Sequence, residues 1–264
     1  MTRIVSLLFH DLFARDPAES GFPGALADAY KHPVTEFESV IAEIAAGSPA
    51  APVLGLDRPA GARQVFAITV DDGGVSYYTH LADRLEARGW RGHAFVATDM
   101  IGTPGFLTPA QIRELDARGH LIGSHSCTHP EQMSSLSWDE LLWEWRESCA
   151  LLSDAVGAPI TVASVPGGFY SQKVGQAAAA SGIKVLFTSE PTVSEQIVDG
   201  CRVMGRYSVR RSTPPSVVGA IAVGSKWPRW QQATIWFLNK AAKRLTGQWY
   251  IPLRRIVLDN ISRR

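Results

Sequence analysis

Cysteine is scarce in this sequence: Cys127, Cys149 and Cys201 are the whole supply in 264 residues, and none stands in a C-x-x-C pair. Three scattered thiols exclude a disulfide framework, a zinc ribbon and a dithiol redox site, and they predict free thiols. Net charge is small too, +1 from 26 Lys and Arg against 25 Asp and Glu, which argues against nucleic-acid binding and wholesale disorder. Long apolar runs are also missing. The first one, Ile4 to Phe9, is cut short by His10 and Asp11. It is too short for a secretory signal core and far below the roughly 20 residues a membrane span needs, so a cytoplasmic location is the expectation. Histidine, finally, does not occur after His129.

What is present is a chain with 45% hydrophobic residues, enough for one large core. Apolar runs rich in β-branched and aromatic residues alternate with segments of helical period, the pattern of β-then-α units around a mostly parallel sheet or barrel. Strands are expected at Ile4 to Phe9, Val65 to Val70, His93 to Ala97, Leu121 to Ser124, Ile160 to Ala163, Val185 to Thr188 and Arg202 to Arg206. Helices are expected from Ser76 to Arg88 with a stop at Gly89, after Thr108, and from Ser137 to Val156. The last is read as the longest, opening with a Ser137/Glu140 capping box. Arg15 to Tyr30 and Gly47 to Gly61 read as long surface loops, which in compact domains are often functional or mobile.

Two strand ends carry chemistry. Val65 to Val70 runs directly into Asp71-Asp72-Gly73-Gly74, and a buried parallel strand delivers the residues after it to the carboxyl end of the sheet, where α/β proteins place their sites. Adjacent carboxylates repel, so a cation or a shared proton is expected there; alone, D-D-G-G is equally a helix cap and turn. Leu121 to Ser124 likewise leads into His125-Ser126-Cys127-Thr128-His129-Pro130. On a helical turn, imidazoles at i and i+4 share a face and can converge on one ion, although an isolated H-x-x-x-H is more often two unrelated histidines. Together the two strand ends offer a His₂-carboxylate set with open positions for water.

Thr69-Val70-Asp71-Asp72-Gly73 followed by His125-Ser126-Cys127-Thr128-His129 resembles the polysaccharide deacetylase family, the NodB-homology or carbohydrate esterase family 4 enzymes. Their motifs are T-F-D-D-G and H-[S/T]-x-x-H, and the similarity runs from about Val65 to Glu190. The resemblance implies an α/β fold, a distorted (β/α) barrel of the polysaccharide deacetylase type with about seven parallel strands. It implies that Asp71 is the general base and that Asp72, His125 and His129 bind one divalent metal: zinc, with cobalt or nickel as alternatives. The third motif, R-x-P-x-G, stands as Ser164-Val165-Pro166-Gly167-Gly168. Pro166 and Gly168 match, Gly167 offers its N–H to an oxyanion, and Tyr170 is a further substrate-binding candidate. Ser164 replaces the Arg that ordinarily orients the base, with Arg206 or Arg210 as candidate stand-ins. The family's late histidine is missing. His10, at the end of the first strand, is the candidate general acid, by resemblance to a circularly permuted subgroup whose N-terminal Y-H-x-V supplies it; Phe9 stands here for the Tyr. A strand-end histidine bonded to backbone is the structural alternative. His32, His80, His93 and His120 are read as structural or surface residues and Asp99 as a weaker site candidate, while Trp138, Trp143 and Trp145 are assigned to core packing.

The expected activity is removal of N-acetyl groups from amino-sugar residues of a bacterial polysaccharide or its lipid-linked precursor. The alternatives are a deformylase or other amidase on a lipid-linked sugar, or a non-catalytic glycan-binding relative. The expected division is a deacetylase barrel over 1–224 and a basic, Trp-rich helical extension over 225–264. From Val223 onward nine Lys or Arg face Asp259 alone. That tail, with Trp227, Trp230, Trp236, Trp249 and Tyr250, suits peripheral attachment to the inner membrane; a terminal helix packed on the barrel is the alternative. An amino-sugar glycan is the expected partner, and oligomeric state is left open.

Overall fold

Gln64–Val70 is almost entirely β-branched or aromatic, and it forms a strand whose last six residues are all buried, as a parallel strand covered on both faces should be. The computed structural model describes residues 2–48, 51–56 and 58–246, with side chains through Leu238. Its strands are β1 (Arg3–Phe9), β2 (Leu12–Phe13), β3 (His32–Pro33), β4 (Gln64–Val70), β5 (His93–Val96), β6 (Leu121–Ser124), β7 (Val162–Ser164), β8 (Val185–Phe187), β9 (Glu195–Val198), β10 (Cys201–Met204) and β11 (Tyr207–Ser208). Its α-helices are α1 (Ala25–Asp28), α2 (Val34–Gly47), α3 (Ala82–Glu86, continuing a π-turn over Tyr77–Leu81), α4 (Pro109–Ala117), α5 (Trp138–Val156), α6 (Gln172–Ala180), α7 (Pro215–Ala222) and α8 (Lys226–Thr246).

The large sheet has the order β11-β1-β4-β5-β6-β7-β8-β10-β9, and every pairing in it is parallel except that of β9 with β10. β10 pairs with β8, and after Gly205 and Arg206 the chain resumes as β11 beside β1. Segment 201–208 therefore crosses from β10, next to one edge of the sheet, to β11 at the other, and the sheet curls as a distorted, incompletely closed (β/α) barrel. The period-2 alternation of the strands separates two cores. One face, with Phe66 and Ile68, packs under the helices. The other, with Ile4, Val65, Ala67, Phe95, Val162, Val185, Phe187 and Met204, fills the barrel. Gly123 belongs to this interior, since a side chain there would meet the Phe95 ring at 2.6 Å.

All seven expected strands form, with shifted ends: the fifth runs Val162–Ser164 instead of Ile160 to Ala163, and the last stops at Met204. The Ser137/Glu140 capping box and the left-handed Gly157 bound α5 as expected, a cap worth about 1 kcal/mol. The longest helix, however, is α8. Only Trp145 of the three helix tryptophans is in the core; Trp138 and Trp143 are 42% and 50% exposed. Gly47 to Gly61 is not simply a surface loop. Val53 joins the barrel interior and donates its N–H to the Phe66 carbonyl at 2.8 Å, while the Gly55 N–H donates to His93 Nε2 at 2.9 Å, so this loop plugs the amino-terminal end of the barrel. The three cysteines are free thiols. Residues 247–264, with Trp249 and Tyr250 of the expected basic tail, lie outside the described residues.

Candidate active site

Alternation along the strands aims the key side chains. On β4, Val65, Ala67 and Thr69 point into the barrel, so Asp71 follows them inward. On β1, Ile4, Ser6, Leu8 and then His10 share the inward face, and on β6 Leu121 and Gly123 lead to His125. These side chains meet at the carboxyl-terminal rim. Asp72 Oδ1 lies 3.4 Å from both His125 Nε2 and His129 Nε2, and one ligand atom from each of the three residues lies within 4.8 Å of the others.

The arrangement of His125 and His129 differs from the expected helical turn. Residues 125–129 are irregular, with Ser126 at φ 65° and His129 at φ 55°, and Asp72 is also left-handed at φ 77°. Such positions cost side-chain-bearing residues about 1–3 kcal/mol each and persist where the surroundings fix them. Glu144 of α5 does so for the histidine loop. Buried, it accepts the N–H groups of Cys127 (2.8 Å) and Thr128 (2.9 Å) and the Thr128 hydroxyl. For the aspartate loop the device is close packing. A Cβ on Gly73 (φ 79°) would lie 2.9 Å from Val96, and one on Gly74 only 1.8 Å from Asp11 Oδ1. Asp11 itself accepts hydroxyls from Ser20 (2.6 Å) and Ser76 (2.8 Å), and burial pushes its carboxyl up to about 6 despite those bonds.

The donor set fits a divalent cation. His125 Nδ1 faces the Ser164 carbonyl at 3.0 Å and the Ser164 hydroxyl at 2.6 Å. Its proton therefore belongs on Nδ1, which leaves the Nε2 lone pair directed at the cluster. The same Ser164 hydroxyl donates to Asp71 Oδ1 at 3.0 Å. Burial would raise the Asp72 carboxyl, but His125 and His129 hold it well below the ordinary carboxylate range, so it is ionised and ready to ligate.

Asp71 is gripped by Arg206, whose Nη1 reaches Oδ1 at 2.6 Å and whose Nη2 reaches Oδ2 at 2.8 Å. Arg206 is itself fully buried; it donates to the Thr188 carbonyl and lies over the rings of Phe95 and Phe187. Burial alone would push Asp71 up; Arg206 and then His125 outweigh it and hold the carboxyl below its usual range. Of the two candidate stand-ins for the motif arginine, Arg206 is the one that contacts Asp71, whereas Arg210 is exposed and lies over Tyr30.

His10 reaches the same centre. Burial pushes its pKa down while Asp72 and Asp71 pull it back, its ring lies 4.8 Å from that of Tyr30, and its Nδ1 is buried with no hydrogen-bond partner among the described residues. Phe22 lies 4.6 Å from the His129 ring, centroid to centroid, so Arg15 to Tyr30 lines this side of the site. Pro166 and Gly167 follow β7 at the same rim, and a Cβ on Gly167 (φ 64°) would lie 2.6 Å from the Glu131 carbonyl. Tyr170 is not brought to the cluster. Its hydroxyl lies where a Cβ on Gly175 would be 2.8 Å away, against α6, because the chain has already turned outward toward that helix. Asp99 accepts from Cys127 Sγ at 3.2 Å, a structural contact. Glu144 and Asp11 were missed by sequence reasoning, and neither sits in a motif that could have found it.

A carboxylate gripped by arginine beside an Asp-His-His cluster, at the carboxyl rim of a (β/α) barrel, offers the donor set that a hydrolase-type metal site requires. Residues 58–186, just under half of the chain, match the family described as Polysaccharide deacetylase, and that stretch belongs to it. The chain is 28% identical over 144 residues to YxkH of Bacillus subtilis (strain 168), which bears a polysaccharide deacetylase name; the match covers 54% of this chain and about half (49%) of that relative. Among solved structures, the Streptococcus pyogenes deacetylase PplD, in complex with acetate, superposes with a TM-score of 0.65 at 18% identity over 81% of this chain and 95% of its own. A de-N-acetylase from Aggregatibacter actinomycetemcomitans gives 0.65 at 16% identity over 80% and 96%. At these identities the two structures establish the fold.

Proposed function

We propose that the protein is a metal-dependent hydrolase that removes N-acetyl groups from amino-sugar residues of a bacterial polysaccharide or its lipid-linked precursor. The observation that carries this reading is the pairing of Asp71 with Arg206 directly beside the Asp72, His125 and His129 cluster. Asp72, His125 and His129 would hold a divalent cation, which would supply Lewis-acid polarisation of the acetamide carbonyl and a lowered pKa for water. Asp71, kept ionised and fixed in orientation by Arg206 and Ser164, is the base that takes the proton from the attacking water. Gly167 offers its N–H to the developing oxyanion. His10 gives a proton to the leaving amine, which departs far more readily protonated; this is the assignment that links the chain to the permuted subgroup.

Arg206 also bears on the choice between turnover and mere binding. The altered third motif is the reason to consider a glycan-binding relative without activity, and an arginine between β10 and β11 that grips the base favours catalysis. The test is bound metal and acetate release from N-acetylated amino-sugar oligomers. Asp71→Asn is expected to retain metal and lose turnover, His129→Ala to weaken metal binding, and His10→Ala to keep metal with turnover down about 10²-fold or more. Normal turnover by Asp71→Asn would remove the assigned base. Formate released from a formylated sugar, with no acetate from the acetylated one, would assign the deformylase alternative.

A further inference from the structure

α8 carries an apolar face that the barrel leaves uncovered. At 100° per residue, Trp227, Trp230, Phe237 and Leu238 fall on one side of the helix with Ile235 at its margin. They are 66%, 59%, 58%, 66% and 60% exposed, respectively. Trp227 and Trp230 stack at 5.4 Å. The opposite side holds the helix to the body through Gln232 Nε2, which donates to the Ser208 carbonyl at 2.9 Å, while Arg229 closes the turn that enters the helix by donating to the carbonyls of Ser225 (3.1 Å) and Gly224 (2.6 Å). Ala233, with Trp230 at the edge of the apolar face, lines a groove shared with Pro191–Val193, the loop that leaves β8 at the carboxyl-terminal rim. The helix is thus fixed in orientation, with its apolar side turned outward beside the rim that bears the candidate active site.

Charge selects the occupant of this face. α8 contains Lys226, Arg229, Lys240, Lys243 and Arg244 and no acidic residue. A second copy would set those five cations against five more, and the chain's own residues 247–264, with Arg254, Arg255, Arg263 and Arg264 against Asp259, are also basic. An anionic phospholipid surface complements both the charge and the aromatic-aliphatic face. No described helix is long and apolar enough to cross a membrane, which leaves a helix lying in the interface. We propose that α8 is a peripheral membrane anchor that lays the Trp227, Trp230, Ile235, Phe237 and Leu238 face into an anionic bilayer and holds the active-site rim near the lipid surface. The proposal is independent of the reaction assigned above, because vesicle binding is read without turnover.

The test is flotation of the full chain with vesicles of phosphatidylcholine, with and without about 30 mol% phosphatidylglycerol, followed also by tryptophan emission. Expected are binding to the anionic vesicles only, a blue shift on binding, and loss of binding at high salt. Trp227→Ser/Phe237→Ser/Leu238→Ser and, separately, Lys226→Glu/Arg244→Glu, which border that face, are each expected to weaken binding at least about tenfold, with thermal unfolding unchanged. The second variant keeps the test decisive if the first folds poorly. Equal binding to neutral vesicles, or undiminished binding by both variants, would overturn the proposal. So would a dimer broken by the Trp227, Phe237 and Leu238 changes without any vesicle binding, which would give the face to a second copy.

Discussion

Arg206 is the residue on which the account of the centre depends most. A buried carboxylate left without its guanidinium becomes protonated or destabilises the fold, by about 3–5 kcal/mol when one partner of a buried pair is removed. Lysine cannot reproduce the two parallel bonds to Asp71. Arg206→Lys is therefore expected to retain metal and lower kcat about 10²-fold with a smaller change in KM. Without the full grip the Asp71 carboxyl rises from its depressed position, so the acid limb of the pH–rate profile moves to higher pH. Steady-state kinetics across pH check this; an unmoved acid limb with normal kcat would reduce Arg206 to a structural role. Asp71, Asp72, His125 and His129 were legible because each follows a strand whose pattern is visible and whose carboxyl end is where such folds work. Arg206 could be named only as one of two candidates, since nothing local distinguishes it from Arg210; the inward face of 201–208 decides between them.

At the scale of elements, α5 does more than cover the sheet. Through Glu144 it binds the backbone of the histidine loop, so the left-handed Ser126 and His129 are maintained from a helix distant in sequence. Gln has one acceptor oxygen where Glu has two. Glu144→Gln is accordingly expected to lower metal affinity about 10–100-fold, as loss of an outer-sphere partner does, with the fold intact; calorimetric metal titration checks it, and unchanged affinity would count against the loop-holding role. The capping box of α5, the Thr108 cap of α4 and the Gly89 stop were readable because their signals are local in the chain. The short strands β2, β3, β9 and β11 were not anticipated, as two to four residues carry no usable period. The plug formed by Val53 and Gly55 was missed for a related reason: Gly47 to Gly61 has loop composition, and only the curled barrel supplies an interior for Val53.

For the whole molecule, two buried imidazoles, His93 in the barrel interior and His32 beside Phe9, set a pH dependence of stability. His93 and His32 are each held neutral, at about 4 against 6.5 for a free imidazole; burial is the main cause in both. His93 Nε2 accepts from Gly55 and its Nδ1 faces the Ile68 carbonyl. A folded-state pKa below the unfolded one means the unfolded chain binds more protons. The stabilisation is then complete above 6.5 and is lost as pH falls from 6.5 through about 4, by roughly 3 kcal/mol for each imidazole. His93→Gln, which keeps a donor and an acceptor, should flatten the fall of Tm over that interval; an unchanged slope would show that His93 does not set it. The class of fold was legible from alternation and strand count, whereas the crossing from β10 to β11 that curls the sheet emerges only from three-dimensional pairing.

The central claim is that the rim of this barrel is a metal-dependent deacetylase centre. Acetate release from an N-acetylated amino-sugar oligomer by the intact protein, before chelation, after chelation and after return of a divalent metal, tests it most directly. The account predicts release that is lost on chelation and restored by the metal. Release that survives complete removal of the metal, or no release of any acyl group from the metal-loaded protein, would contradict it.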